Sequence, residues 1–529
     1  MRDMIAAQSP IAMSCLETGC SKFGVTPGGG GAAGIIIICS GVGGAGAAVG
    51  PAPGRADDAM TYIVYSACVA IYNVTFHPLA KFPGPKIRGA FKFPMLWSLF
   101  KGSSVRETKA FHDTYGRVVR IAPDHLSFNT ARAFKDIYGT RPGKKQLPKD
   151  DECDADHARI RKTISYAFSD TALREQEQLL TAHTTHLVQK LKELIKGVDD
   201  GRVNMMDYYN FLTFDVIGDL CLGEPFGAIA SGEYHEWIVQ IFQGLKFWRI
   251  LRFGNAYPIL GYFFKFVMTV VPSIEEMRDS FFKLPRVKVE KRLATETNRK
   301  DFVSYILRYN EDDERGMNRE EVVDTASILI VGGSETTATI LCGLTYYLLV
   351  TPRVMQKLQD EIRSTFSSEA DIHLRTLTRL PYLDAVVEEA LRMYPPASSI
   401  FPRRTPSEGD EIDGYYVPGN TSVGVHQFAT YRSEKNFTHP DEFIPERWLK
   451  DGPEEYRNDD RAAFQPFHLG PRGCIGKNLA YFEIKSTIAR LVWNFEMQLC
   501  KESKSWINQN VFLVWEKGPL WVQFRERKI

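Results

Sequence analysis

Residues 467–476 read FHLGPRGCIG, a single cysteine, Cys474, with Arg472 two residues before it, Gly473 beside it and Gly476 just beyond. A thiol in this setting has four uses: nucleophile, metal ligand, half of a disulfide, or plain core. A nucleophile needs a general base. His468 is the nearest histidine, and no triad pattern or glycine-flanked oxyanion loop accompanies it. The chain has 529 residues and nine cysteines, at Cys15, Cys20, Cys39, Cys68, Cys153, Cys221, Cys342, Cys474 and Cys500, widely spaced and without a C-x-x-C pair. That argues against a disulfide scaffold, a zinc ribbon or a thioredoxin-like motif, and for a reducing compartment. The ligand use suits the pattern better, because the thiolate is the binding form and glycines let backbone N–H groups approach the sulfur.

With no second cysteine nearby, a single-thiolate site suggests haem iron. Two further stretches break local rules. GGSETT, residues 332–337, sits in the middle of a long apolar helical pattern. Each glycine there costs about 1 kcal/mol relative to alanine, and a buried Glu335 flanked by Thr336 and Thr337 is costly without partners. Such a coincidence points to a functional site, with a kinked helix and a satisfied polar pair as the structural alternative. EALR places Glu389 and Arg392 at i, i+3 on one helix face. FIPERW supplies Arg447, and a carboxylate between two arginines reads as a fold-supporting clasp rather than catalytic machinery.

These residues need a scaffold, and the pattern predicts a mainly α one. Apolar residues recur at helical spacing over 157–168, 174–195, 320–350, 354–366 and 382–394. The span 320–350 is too uniformly apolar for a surface helix and is expected to be buried. VVRIA, HLSF, GYYVP, TSVGVHQF and FLVW read as short peripheral strands. Apolar residues make up 44% and charged residues 24%, enough for a large core, and the net charge of +1 gives no bulk attraction to nucleic acid.

Three regions follow from composition. Residues 1–59 form a Gly/Ala-rich low-complexity extension. Its GVGGAG matches a dinucleotide fingerprint, but Gly50, Pro51 and Pro53 stop the helix that fingerprint requires. Residues 60–78 read as a membrane anchor and hinge: 60–76 carry no charge, acidic Asp57 and Asp58 precede them, and Lys81, Lys86 and Arg88 follow. That polarity places the remainder, 79–529, on the cytoplasmic side. Residues 32–49 are a weaker second candidate for a span.

FHLGPRGCIG resembles the haem-ligand signature F-x-x-G-x-R-x-C-x-G of the cytochrome P-450 family at every fixed position. GGSETT is similar to that family's oxygen-activating helix motif, and EALR with PERW to its E-x-x-R and P-E-R-F/W elements, all in the family's order. The leader YNVTFHPLAKFPGP resembles microsomal fungal members. The resemblance covers about residues 60–529 and implies the cytochrome P-450 fold, a large helical domain with small sheets. It implies haem b (iron protoporphyrin IX) with Cys474 as proximal ligand, Phe467 against the sulfur side, and Gly470, Gly473 and Gly476 shaping the loop. Arg472, Arg403, His157 and Arg161 would hold the haem propionates. Gly333 would open a groove for dioxygen, and Thr336, with Glu335 beside it, would deliver protons during oxygen activation.

The same resemblance implies a haem-thiolate monooxygenase that draws electrons from NADPH through a reductase, at the endoplasmic reticulum membrane. Its expected substrate is a hydrophobic polyketide or terpenoid intermediate of fungal secondary metabolism. A haem binder without turnover, and a haem-thiolate desaturase or isomerase, stand as alternatives. Ile328, Leu329 and Gly332, residues 397–401, and NQNVFLVWEKGP (508–519) are candidate pocket walls. Residues 245–271 mix aromatics with Lys246, Arg249, Arg252 and Lys265, as a membrane-surface segment does. Arg159, Lys162 and Lys477 are candidate docking cations for an acidic reductase surface.

Overall fold

The computed structural model describes residues 55–149, 154–197, 199–240, 256–257, 286–295, 299–308 and 316–528. The fingerprint-like motif at 41–46, the second candidate span at 32–49 and nearly all of 245–271 lie outside them.

The apolar pattern over 320–350 is one helix, Arg319–Val350, 32 residues long. Its start is set by a capping box: Asn318 accepts from the Glu321 N–H, and the Glu321 carboxylate accepts from the Asn318 N–H, both at 2.9 Å. At the other end Thr351 caps it and Pro352 opens the next helix, Pro352–Thr365. By length and hydropathy this central helix is fit to cross a bilayer, yet 67% of its apolar window is buried in protein, so it is the spine of the core. Its main partner is Met205–Leu222, a helix buried on all sides from Tyr209 to Leu222. A Cβ on Gly333 would come within 2.8 Å of the Ile217 side chain, so the glycine lets the two helices approach.

Around this pair pack Asp170–Gly197, Pro381–Met393 and Lys477–Asn494, and Asp154–Ser165 reaches the start of the central helix through Arg159 and Glu321. The fold is mainly α, as the periodicity predicts. Small sheets flank it. Val118–Ala122 pairs antiparallel with His125–Phe128, which pairs parallel with Ser422–Val425, which in turn meets Arg403–Arg404. A second sheet joins Arg202–Asn204, Trp521–Glu526 and Phe495–Leu499. FLVW is not a strand. The chain reverses there within five residues, closed by one bridge between Val511 and Trp515, and the neighbouring sheet takes Trp521–Glu526 instead.

The clasp residues meet in the core. Glu389, Arg392 and Arg447 are 0%, 0% and 1% exposed. Arg392 donates twice to Glu389, at 2.8 Å each, and also to the carbonyls of Tyr431, Pro440 and Glu442. Arg447 Nε, the Trp448 indole and the Ile444 N–H complete the carboxylate's set at 3.2, 2.9 and 2.9 Å. Burial alone would raise the Glu389 pKa; the two arginines and the Ile444 N–H pull it below the ordinary value. The helix bearing Glu389 is itself positioned by Glu361, whose carboxylate accepts from the N–H groups of Tyr382 and Leu383 at 2.8 Å.

The helix Arg55–Thr75 covers the apolar stretch from Met60 and leaves Met60, Tyr62, Ile63, Val64, Tyr65, Ile71 and Tyr72 exposed. Its far end is tied to the domain: Asn73 Nδ2 donates to the Ala90 carbonyl at 2.9 Å, and Arg120 donates to the Asn73 carbonyl at 2.7 Å.

Candidate active site

The cysteine loop is held by its own backbone. The Cys474 N–H donates to the Phe467 carbonyl at 2.8 Å and the Gly473 N–H to the Gly470 carbonyl at 2.9 Å. Gly470 has φ +71°, and a Cβ there would lie 2.1 Å from the Tyr138 carbonyl oxygen, so this glycine is obligatory on two counts. The Cys474 thiol is accessible, yet burial pushes its pKa up. Both hold for a side chain that lines a hollow inside the protein. The Gly476 N–H, Arg161 and Lys477 oppose that burial and favour the thiolate.

Arg161, on Asp154–Ser165, lies within electrostatic reach of both Cys474 and Arg472. Burial lowers its pKa, Cys474 raises it, and Arg472 lowers it again. His157 is one turn earlier on the same helix. Arg403, 4% exposed, stacks over the Tyr138 ring at 5.5 Å. His468 has φ +62° and is boxed by the rings of Tyr138, Phe401 and Phe134, with centroids at 4.5, 4.7 and 5.9 Å. Burial, with Arg403 adding to it, pushes its imidazole down to about 4. That is too weak a base to activate a thiol at neutral pH.

The central helix presents two distinct faces in its middle. Ile328, Gly332 and Thr336 recur at i, i+4, i+8. Ile328 is 64% exposed although it sits on a core helix, and a Cβ on Gly332 would meet nothing within 4 Å. The open groove is therefore at Gly332, not at Gly333, which is packed against Ile217. The Thr336 hydroxyl donates to the Gly332 carbonyl at 2.6 Å on this open face. Glu335 faces elsewhere: it is 3% exposed and ion-paired with Lys517 from the C-terminal segment. Glu335 and Thr336 are neighbours in sequence with different partners.

Other expectations shift. Phe467 gives its carbonyl to the Cys474 N–H, while its ring packs on Tyr481 at 5.1 Å. A cavity of about 480 Å³ lined by Phe467, His468, Lys477, Tyr481 and Glu388 runs along the outer side of the loop and includes neither Cys474 nor Thr336. Arg159 is taken up by Glu321 and the Gly316 carbonyl at the start of the central helix, which leaves Lys162 and Lys477 as the exposed cations of the expected docking set. Lys517, which residue patterning did not single out, carries no local signal, because its partner is 182 residues away.

The residues present fit a haem. The thiol is accessible and backed by an N–H and cations, and the basic groups Arg161, Arg472 and Arg403 gather at the loop as an anionic, carboxylate-bearing ligand requires.

A mainly helical chain with an accessible cysteine in a glycine-bounded loop, basic groups around that loop and a buried helix bared at a Gly/Thr face fits a haem-thiolate protein. The sequence profile of the family described as cytochrome P450 matches residues 89–524. The chain is 41% identical to the cytochrome P450 monooxygenase AstJ of Aspergillus oryzae, over 87% of this chain and 94% of the relative. It is 42% identical to the cytochrome P450 monooxygenase AstA of Talaromyces wortmannii, over 88% and 96%. It is also 42% identical to a trichothecene C-4 hydroxylase of Trichoderma arundinaceum, over 86% and 94%. The chain belongs to the cytochrome P450 family and is a haem monooxygenase acting with O2 on a small molecule.

Proposed function

We propose that this enzyme inserts one oxygen atom from O2 into a hydrophobic polyketide or terpenoid intermediate of fungal secondary metabolism, with electrons delivered from NADPH by a membrane-bound reductase. The observation that carries the reading is Cys474: an accessible thiol, its pKa raised by burial and opposed by the Gly476 N–H, Arg161 and Lys477, in a loop bounded by glycines. Support for the outcome comes from relatives of about 40% identity named as monooxygenases and, in one case, as a hydroxylase.

The haem, when bound, supplies the iron that activates dioxygen. Cys474 would hold that iron as thiolate, steadied by the Gly476 N–H. Arg472, Arg403, Arg161 and His157 would fix the haem carboxylates. Ile328 and Gly332 offer an apolar wall and an open groove, which suits a hydrophobic substrate and excludes water from it. Thr336 Oγ, whose hydroxyl donates to the Gly332 carbonyl, would take part in proton delivery on that open face, with Glu335 as the carboxylate beside it in the chain. The exposed apolar helix Arg55–Thr75 would anchor the enzyme in the endoplasmic reticulum membrane with the domain in the cytoplasm.

The test is optical and chemical. The reduced protein under carbon monoxide is expected to show the thiolate red shift of the Soret band, and Cys474→Ala to lose it. Metabolite profiling of a host expressing the chain with a reductase then reads the substrate class. A normal haem spectrum lacking the red shift overturns the assignment.

A further inference from the structure

The partner of Glu335 comes from the far end of the chain. Lys517 Nζ is ion-paired with Glu335 Oε1 and lies 2.8 Å from Thr339 Oγ1, which itself lies 3.4 Å from the same carboxylate oxygen. Both side chains are nearly sealed, at 5% and 4% exposure. The second carboxylate oxygen, Oε2, has no hydrogen-bond partner among the described residues. Two further titratable groups beside Glu335 among the described residues are the Cys342 thiol, pushed up to about 12 by burial, and the Tyr394 hydroxyl, pushed up by burial as well. Both are neutral near pH 7, so Lys517 is the cation that meets this carboxylate among the described residues.

The lysine is aimed, not merely nearby. Two residues before it, Trp515 is stacked on Tyr394 at 4.4 Å, and its indole donates to the Pro395 carbonyl at 2.8 Å. One residue after it, the Gly518 carbonyl accepts from the Trp506 indole at 2.8 Å. A lysine stem held between two tryptophan anchors loses little freedom on pairing, and a buried carboxylate gains most from a cation so held.

We propose that Lys517 is a positioning residue for the proton chemistry of Glu335: it pairs with the buried carboxylate and fixes its direction. The proposal rests on the reading that Glu335 serves Thr336 in oxygen activation. Without Lys517 the carboxylate is buried with no cation, which favours its protonated form, and its direction is no longer fixed.

The experiment compares holoenzyme carrying Lys517→Met, Lys517→Arg, Glu335→Gln and the double variant Lys517→Met/Glu335→Gln. The first readout is thermal stability against pH and does not depend on turnover. Lys517→Met is expected to lose stability, relative to the double variant, as pH rises above the ordinary carboxylate range, since a group holding its proton in the fold favours the fold less once the unfolded chain releases it. Wild type, with both charges paired, is expected to lack that slope against the same double variant. The second readout is product formed per NADPH with a reductase. Lys517→Met is expected to fall several-fold with a changed pH profile, Lys517→Arg to restore it, and the double variant to match Glu335→Gln. If Lys517→Met fails to fold while the double variant folds, neutralising Glu335 is confirmed as the lysine's task. If neither folds, or if Lys517→Met is destabilised with both pH profiles unchanged, Lys517 is only a packing peg and the proposal is overturned. If Glu335→Gln leaves product yield intact, the catalytic reading of Glu335 fails separately, while the stability comparison still decides the pairing.

Discussion

Glu483 offers a decisive test of how this core handles charge. It lies on Lys477–Asn494, nine residues beyond Cys474, and is 5% exposed. Its Oε1 has no hydrogen-bond partner among the described residues. Burial, with no charged partner to oppose it, pushes its carboxyl from 4.5 up to about 8. The folded protein therefore binds a proton that the unfolded chain releases between those values. The sign follows: stability contributed by the neutral carboxyl is full below 4.5, falls as pH rises, and is gone above about 8. A shift of that size corresponds to on the order of 3–5 kcal/mol at about 1.4 kcal/mol per pH step. Glu483→Gln keeps the volume and removes the titration. The thermal midpoints of the two holoproteins are measured in parallel from acidic to alkaline buffer, so that every other titration cancels in their difference. The variant is expected to gain on wild type through the neutral range and to run parallel beyond it. A flat difference, or a wild type that gains with pH, refutes the reasoning.

Arg392→Leu leaves Glu389 buried with half its charge partners gone and is expected to cost about 3–5 kcal/mol, read as a lower thermal midpoint and a lower yield of haem-loaded protein. Gly470→Ala is expected to cost at least about 1–2 kcal/mol from the left-handed backbone alone, and more from the approach to the Tyr138 carbonyl; the check is haem retention during gel filtration. Removing residues 1–70 is expected to move the protein from the membrane pellet to the soluble fraction, whereas removal through residue 78 also takes Asn73 from Ala90 and Arg120 and lowers the thermal midpoint. Charge reversal at Lys162 and Lys477 is expected to slow reductase-supported turnover at low salt and to matter little at high salt, while reversal at Arg159 acts on stability through Glu321.

The ligand loop and the central helix were legible because their requirements are local. A thiol, an arginine and three glycines lie within ten residues, and apolar residues recur at helical period over about thirty residues. What stayed hidden depends on contacts across the fold. Arg159 reads as a surface cation until the first turn of the central helix brings Glu321 to it. FLVW has the composition of a strand, but the chain turns back before a partner can pair with it. A lysine before Gly518 and Pro519 reads as a solvated turn, and only the tryptophan anchors on either side turn it inward.

The motif GGSETT shows the limit of reading neighbours as partners. Adjacent residues on an α-helix point about 100° apart, so Glu335 and Thr336 cannot share a face. Thr336 lies in line with Ile328 and Gly332 on the open side, and its hydroxyl is engaged with a helix carbonyl. Glu335 lies in line with Thr339 and Cys342 on the side that the C-terminal segment closes. Gly332, one turn before Thr336, leaves the open side clear, whereas Gly333 lies against Ile217 of the neighbouring helix. Helix propensity is given up at two consecutive residues, one to admit Ile217 and its helix, the other to keep the open face clear. The two glycines therefore serve opposite sides of the same turn, just as the acid and the alcohol after them do.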